Sequence, residues 1–261
     1  MSDAMPPATF VAFPLSLWSE KARWALDHHE VAYVEKSYTP LLGAPALRWK
    51  MRRLRGRLSV PVLLDPSGAV WTQPLEIARY AESTGGGDPL FRRGQEAAIA
   101  RWSSRSDEAM RASRGLVRDR VADDREAQRE LLAGVVPRGL AGLLEPTASL
   151  ALRFFQRRYR MREPDEATHR ARLHMILVEL RAALGGRRFL VGDALSYCDI
   201  AMASALLGVE PGDSPHLRFG PATRRSSTDL ELAGEFTDLL GWRDQIYAEH
   251  RRPRSGTPLL R

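Results

Sequence analysis

The chain has 261 residues, of which 44% are hydrophobic and 27% are charged, and this is typical of a globular protein larger than one average domain. No apolar run reaches the roughly 18 residues that a spanning helix needs, and the polar N-terminus lacks the pattern of a secretory signal, so we expect neither. The formal net charge is +7, and only three of the 39 basic residues are lysines.

The arginine excess has two explanations, genome composition or an anionic partner such as nucleic acid. The arginines are spread along the chain among acidic residues, and no zinc-finger or RNA-binding-sheet signature is present, so we predict no nucleic-acid partner. The single cysteine, Cys198, excludes an intramolecular disulfide and favours a reducing, cytoplasmic location.

The first third of the chain alternates strand and helix signals. Short apolar runs predict strands, amphipathic or basic stretches predict helices, and Asp65-Pro66-Ser67-Gly68 predicts a turn. The order β-α-β-α-β-β-α is that of an α/β thioredoxin-like domain over residues 1–84, with 1–8 flexible. The predicted strands cover 9–13, 31–34, 60–64 and 69–72, the predicted helices cover 17–28 and 75–82, and 41–55 is a basic stretch that is either helical or irregular.

A Gly-rich break over 83–89 predicts the domain boundary, and strand signals vanish after it. The remainder predicts an all-α helical-bundle domain over 90–250, with a long polar loop at 210–227 and a flexible tail at 251–261. The segment 137–146 is interrupted by Gly and Pro. The predicted helices cover 95–120, 123–132, 150–160, 165–184, 196–207 and 230–250.

Ser16 and Ser19 lie at the predicted start of the first helix, where thioredoxin-type redox domains carry Cys-x-x-Cys. Without cysteines there, the protein itself cannot exchange disulfides. A helix start offers unpaired N–H groups and the positive end of the dipole, which favour a thiolate. A serine hydroxyl there either donates to a thiolate that a ligand supplies or only caps the helix.

The pair Val60-Pro61 stands at the mouth of the third strand. A cis bond would turn the Val60 backbone outward to pair with a bound peptide, whereas an ordinary edge proline would be trans. After the hairpin, Gln73 precedes a helix whose N–H groups suit the amino-acid end of a ligand.

The segment FLVGDALSYCDIA carries Ser196 and Asp199 at the spacing of a capping box, with Leu195 and Ile200 as a hydrophobic staple. We interpret this segment as a folding element without a chemical role. Cys198 lies inside it and is predicted to be buried and inert.

These features, with VPVLLDPSG, IARY before the boundary and FLVGDALSYCDIA as the most specific parts, resemble the glutathione transferase family over nearly the whole chain. The resemblance implies a serine-type enzyme in which Ser16, or alternatively Ser19, stabilises the glutathione thiolate. It implies that Val60 pairs with the cysteinyl unit and that Gln73 contacts the γ-glutamyl end. The full set of glutathione-binding candidates is Trp18, Arg57, Val60, Pro61, Gln73 and Pro74.

Pro74 departs from the family pattern, which usually has a serine that reaches the γ-glutamyl carboxylate. Proline has neither a hydroxyl nor an N–H, so two donors are lost, and glutathione would bind more weakly or give way to another ligand. Arg57, or Lys50 as a second candidate, compensates for the lost donors if it pairs with the glycine carboxylate of glutathione. The alternative is that the basic run over residues 48–57, which contains both, is a solvated face.

The second substrate is expected between the domains, with Ser104, Arg105, Met110 and Trp242 as candidate wall residues beside Trp18. His169 and His174 are five residues apart, without ligand-spaced carboxylates, so we predict no metal.

The leading hypothesis is therefore a glutathione-dependent transferase acting on a small hydrophobic electrophile, with glutathione as co-substrate and a homodimer as the implied assembly. The alternatives are a non-catalytic binding protein of the same fold, or a specialised glutathione-dependent isomerase, lyase or dehalogenase. No membrane partner is expected.

Overall fold

The computed structural model of the chain describes residues 6–38, 59–135, 165–212, 217 and 219–252. The N-terminal part contains a four-stranded sheet and two helices. The basic stretch 41–55 lies outside the described residues. The elements are β1 (Ala8–Ala12), α1 (Leu17–His28), β2 (Tyr33–Ser37), β3 (Val62–Leu64), β4 (Val70–Trp71) and α2 (Pro74–Thr84).

The sheet has the order β2-β1-β3-β4, with β1 parallel to β2 and antiparallel to β3, and with β3 antiparallel to β4. The register pairs Phe10 with Leu63 and Val11 with Val62. Alternate β1 side chains point to opposite faces, so Phe10 enters the core with Leu26 and Ile77 of the two helices. This arrangement confirms the predicted α/β thioredoxin-like fold.

The described residues of the C-terminal part form helices joined by loops and contain no strand, as predicted. Asp165 caps α5 by accepting from Thr168 N at 2.8 Å, and Gly185 ends it in the left-handed conformation, φ 51°. The elements are α3 (Glu96–Asp123), α4 (Arg125–Val135), α5 (Glu166–Leu184), α6 (Tyr197–Leu206), α7 (Pro221–Ser227), α8 (Leu230–Glu235) and α9 (Thr237–His250).

Helix α6 is buried along its whole length, and its start depends on Asp199. The Asp199 carboxylate accepts from Leu190 N, Ser196 N and Ser196 Oγ at 2.7–2.8 Å. The capping box predicted from the sequence is therefore confirmed, and it also fixes the loop before the helix.

We expect Asp199→Ala to lower the free energy of unfolding by about 3 kcal/mol, because the buried donors of Leu190 and Ser196 lose their acceptor. Asp193→Ala, in the same loop but exposed, is the matched control and should change stability by less than about 0.5 kcal/mol. Urea unfolding of both variants measures the difference, and equal midpoints would contradict the role given to Asp199.

Two expectations in the C-terminal part are wrong. The predicted loop 210–227 contains helix α7, which begins at Pro221 and whose first N–H groups donate to the Glu130 carboxylate of α4. The predicted single helix 230–250 is two helices that meet at Phe236, whose side chain is fully buried in the helical core.

The predicted flexible tail 251–261 is described only at its first two residues, of which Arg251 is buried. Its guanidinium binds Glu20 and Asp27 of α1, each at 2.8 Å. Residues 253–261 lie outside the described residues.

Candidate active site

The N-terminus of α1 is the centre of the candidate site. Ser16 is its N-cap residue, with extended backbone, and its Oγ accepts from Ser19 N at 3.3 Å. The side chain therefore caps the helix, as one of the two interpretations predicted. The same hydroxyl still has its own hydrogen to donate, and no acceptor for it is found within the described part of the chain.

The two candidate serines point in different directions. Ser19 is fully buried, and its Oγ accepts from Phe13 N at 3.4 Å, behind the end of β1. Ser16 is half-buried at the helix start. Of the two, Ser16 is the one that a ligand can approach.

The Val60-Pro61 peptide bond is cis. Val60 is half-buried and precedes β3, whose pairing with β1 begins at Val62. Its contact with a peptide ligand stays a prediction. Arg57 and Lys50, the candidates for the far end of that ligand, lie outside the described residues.

The start of α2 holds the other two candidates. Gln73 is exposed, and its backbone N–H donates to the Glu76 carboxylate at 3.3 Å. Pro74 follows at the first helical position, where proline is tolerated, and it is buried. Pro74, the departure from the family pattern, is therefore the first residue of α2, and its side chain is buried.

Helix α3 contacts the first two turns of α1 through Asp107. This carboxylate accepts from Trp18 Nε1 at 3.0 Å and from Lys21 Nζ at 2.7 Å, both on Oδ1. Lys21 is almost fully buried and also donates to Ser106 Oγ at 2.9 Å. Burial lowers the pKa of Lys21, and the Asp107 charge opposes that shift.

The four candidate wall residues are not brought together. Ser104 is exposed, Arg105 forms an ion pair with Glu179 of α5 at 2.8 Å, and Met110 is fully buried in the helical core. Met110 therefore contributes packing rather than a wall surface in this structure.

Trp242 lies elsewhere, where its Nε1 donates to Arg188 O at 2.9 Å. It lines a cavity of about 470 Å³ whose lining residues all belong to the helical part, between residues 181 and 245.

The contact between Trp18 and Asp107, in the middle of α3, was not predicted from the sequence. A signal was present in the helical spacing of Asp107, Arg111 and Arg114, which places these polar residues on one face of the helix.

A buried charge network that runs along α1 from its first turn to its last was also missed. Arg23 binds Glu20 at 2.7 Å and Glu35 at 2.6 Å, and Arg251 binds Glu20 from the other side. Tyr33 donates to Asp27 at 2.7 Å. These contacts hold α1, and with it Ser16, against β2 and the end of α9.

The protein's own thiol takes no part in this site. Cys198 is buried in α6, as predicted, and burial raises its pKa to about 12. Within the described ranges no cluster of three or more His, Cys, Asp or Glu is arranged to hold a metal. None of the described helices is long and apolar enough to cross a membrane.

Residues 15–84 match the family model described as glutathione S-transferase, N-terminal domain. No curated protein matches the sequence. The fold is similar to that of glutathione transferase GSTFuA3 from Phanerochaete chrysosporium, at 15% identity and a TM-score of 0.64, over 94% of this chain and 98% of that one.

Two further solved structures agree over most of both chains. One is CsGST63524 of Ceriporiopsis subvermispora in complex with glutathione, at 15% identity and TM-score 0.61, covering 97% of this chain and 99% of that one. The other is the beta-etherase LigF from Sphingobium sp. strain SYK-6, at 19% identity and TM-score 0.61, covering 95% and 97%. The chain therefore has the fold of the glutathione S-transferases, and its residues 15–84 match the model of their N-terminal domain.

Proposed function

We propose that this protein is a glutathione-dependent transferase in which Ser16 stabilises the glutathione thiolate. The observation that carries the proposal is the position of Ser16. Its Oγ accepts from Ser19 N, which holds the hydroxyl at the N-terminus of α1, and no acceptor among the described residues takes the hydroxyl hydrogen. A thiolate near this point gains a charge-assisted hydrogen bond and the positive end of the α1 dipole.

The proposed reaction is a nucleophilic attack by the thiolate on a small hydrophobic electrophile. The glutathione thiol first loses its proton to water. The sulfur then forms a bond to the electrophilic carbon, and the leaving group departs with its bonding electrons. A free thiol is only a few per cent ionised at neutral pH, so stabilising the thiolate raises the concentration of the nucleophile.

The choice of glutathione as co-substrate is supported by the complexes in which proteins of this fold have been solved, one with glutathione and one with glutathione sulfonate. Isothermal titration calorimetry with glutathione, followed by conjugation of 1-chloro-2,4-dinitrobenzene, tests both parts of the proposal. An isomerase, lyase or dehalogenase using the same thiolate would bind glutathione but release a different product, which product analysis identifies.

One observation favours a second function, a non-catalytic binding protein. Pro74 places a residue with neither N–H nor hydroxyl at the start of α2, where a γ-glutamyl carboxylate would need donors. Absence of binding heat at millimolar glutathione would support this alternative and contradict the transferase. By the family resemblance we also propose a homodimer, which light scattering tests.

We expect Pro74→Ser to tighten glutathione binding about tenfold, because a serine restores a hydroxyl and an N–H at the helix start, and one hydrogen bond to a charged group contributes about 1.5–3 kcal/mol. Pro66→Ser, in the exposed hairpin turn, is the matched control and should leave the affinity unchanged. The dissociation constants come from calorimetry, and an unchanged value for Pro74→Ser would show that this helix start does not contact the ligand.

A further inference from the structure

Three side chains of α3 form a stripe that faces the first turn of α1. Asp107, Arg111 and Arg114 are spaced by four and three residues, which places them on one face of the helix. Trp18 joins this stripe from α1: its Nε1 donates to Asp107, and the Arg114 guanidinium carbon lies 5.2 Å from the centroid of its ring. Trp18 belongs to the first turn of α1, the turn that Ser16 caps, so the stripe meets α1 at the end of the helix that carries the proposed thiolate position.

The stripe consists of one carboxylate and two guanidinium groups. Its one carboxylate, Asp107, is shared with Lys21, which binds the same Oδ1 at 2.7 Å. Arg111 is 59% exposed, and its guanidinium is 3.9 Å from Asp107 Oδ2, at the limit of an ion pair. Arg114 therefore lies beside the half-buried Trp18 ring, and Arg111 approaches the carboxylate that accepts from that ring.

From this arrangement we propose that the second substrate is an anionic aromatic electrophile, bound by Arg111 and Arg114 with its ring beside Trp18. The proposal rests on the proposed transferase function and specifies its substrate class. A guanidinium fork matches a carboxylate or sulfonate in two-point geometry, and tryptophan and arginine both stack on aromatic rings. A neutral electrophile would use the ring contact alone.

The test compares two chlorinated dinitrobenzenes that differ in charge, 4-chloro-3,5-dinitrobenzoate and 1-chloro-2,4-dinitrobenzene. In both, the thiolate sulfur first adds to the ring carbon that bears chlorine, and the carbon–chlorine bond then breaks as chloride leaves with the electron pair. We expect the wild type to prefer the benzoate in kcat/KM, and the double variant Arg111→Gln, Arg114→Gln to lose at least tenfold of that preference. The readout is the ratio of the two kcat/KM values, which a general loss of stability does not change.

Arg101→Gln is the matched control, since Arg101 is an exposed arginine of the same helix that forms an ion pair with Glu179 instead. The control should keep the wild-type ratio. A ratio that is equal in the wild type and the double variant would overturn the proposal, as would an equal loss in the Arg101 variant.

A binding measurement separates this proposal from the transferase function on which it rests. Unreactive 3,5-dinitrobenzoate and 1,3-dinitrobenzene are titrated against the wild type and the double variant by calorimetry. Tighter binding of the benzoate, lost in the double variant, supports the anion site even if no conjugation is detected. Failure to detect conjugation would contradict only the transferase function. Equal affinities for the two compounds would overturn only the anion site.

Discussion

Replacing Ser16 with glycine is expected to lower kcat/KM for glutathione conjugation by about 10- to 100-fold, since a hydrogen bond to a charged group contributes roughly 1.5–3 kcal/mol. The same loss should raise the pKa of the bound glutathione thiol by about one to two units, at 1.36 kcal/mol for each unit. Glycine is the informative replacement because it is a tolerated N-cap residue, so the helix start is largely kept while the hydroxyl is removed. Ultraviolet absorbance of the thiolate against pH measures the shift directly.

The hydroxyl and the cap can be separated by a second replacement. Ser16→Thr keeps both the hydroxyl and the cap and should retain most of the activity, while Ser19→Ala, at the buried neighbour, should affect stability rather than the thiol pKa. Full activity with an unshifted thiol pKa in Ser16→Gly would show that Ser16 serves only as the N-cap of α1.

Replacing Arg251 with methionine is expected to lower the free energy of unfolding by about 3–5 kcal/mol, the cost of leaving buried charges without a partner. Glu20 and Asp27 each accept from this guanidinium at 2.8 Å, and their side chains are 0% and 4% exposed. Methionine fills much of the same volume, so the loss reports the charge rather than a cavity. Urea unfolding or thermal melting measures it.

The deficit should depend on pH in a defined direction. Burial raises the pKa of Asp27, an effect that the Arg251 charge opposes, so the folded-state pKa in the variant lies further above its unfolded value. A carboxyl with a raised folded-state pKa costs stability as pH rises above its unfolded pKa, and the variant should therefore be closest to wild type at about pH 4 and furthest from it at about pH 7. Arg252→Met, at the exposed neighbour, is the control and should melt like the wild type. A deficit that is the same at both pH values would contradict this account.

Much of the fold could be predicted because its signals are local. Helix α1 has the predicted bounds, Leu17 to His28, since a capping serine precedes it and its apolar residues recur with helical spacing. Gly185 ended α5 for an equally local reason, the left-handed conformation that glycine adopts without a Cβ clash. The strand positions shifted by a few residues because apolar runs mark a strand's presence better than its ends.

The errors have the opposite origin, since they depend on contacts that are distant in sequence. Helix α7 has a short, polar sequence and is held at its start by Glu130, 92 residues before Ala222. Arg251 reads as a surface residue until its partners, more than 200 residues away, are known. No pattern within a window of ten or twenty residues contains either contact.

The candidate site shows the same division. Ser16 could be placed at a helix start from its neighbours alone, and the structure adds that Ser19 is turned inward, which the sequence left open. The contact between Trp18 and Asp107 joins positions 89 residues apart, and therefore the polar side of the substrate region was not foreseen.

The ion pairs of Arg251 with Glu20 and Asp27 of α1 also determine when the first domain becomes fully stable during synthesis. Glu20 pairs with Arg23 nearby in sequence, but it is synthesised 231 residues before Arg251, and at about 5–20 residues per second this means a delay on the order of tens of seconds. Throughout that interval the nascent first domain holds Glu20 and Asp27 with only part of their counter-charge. Its full stability is thus reached late, when the last helix docks, and a chain that stalls on the ribosome before that point would be the more readily recognised by chaperones and proteases.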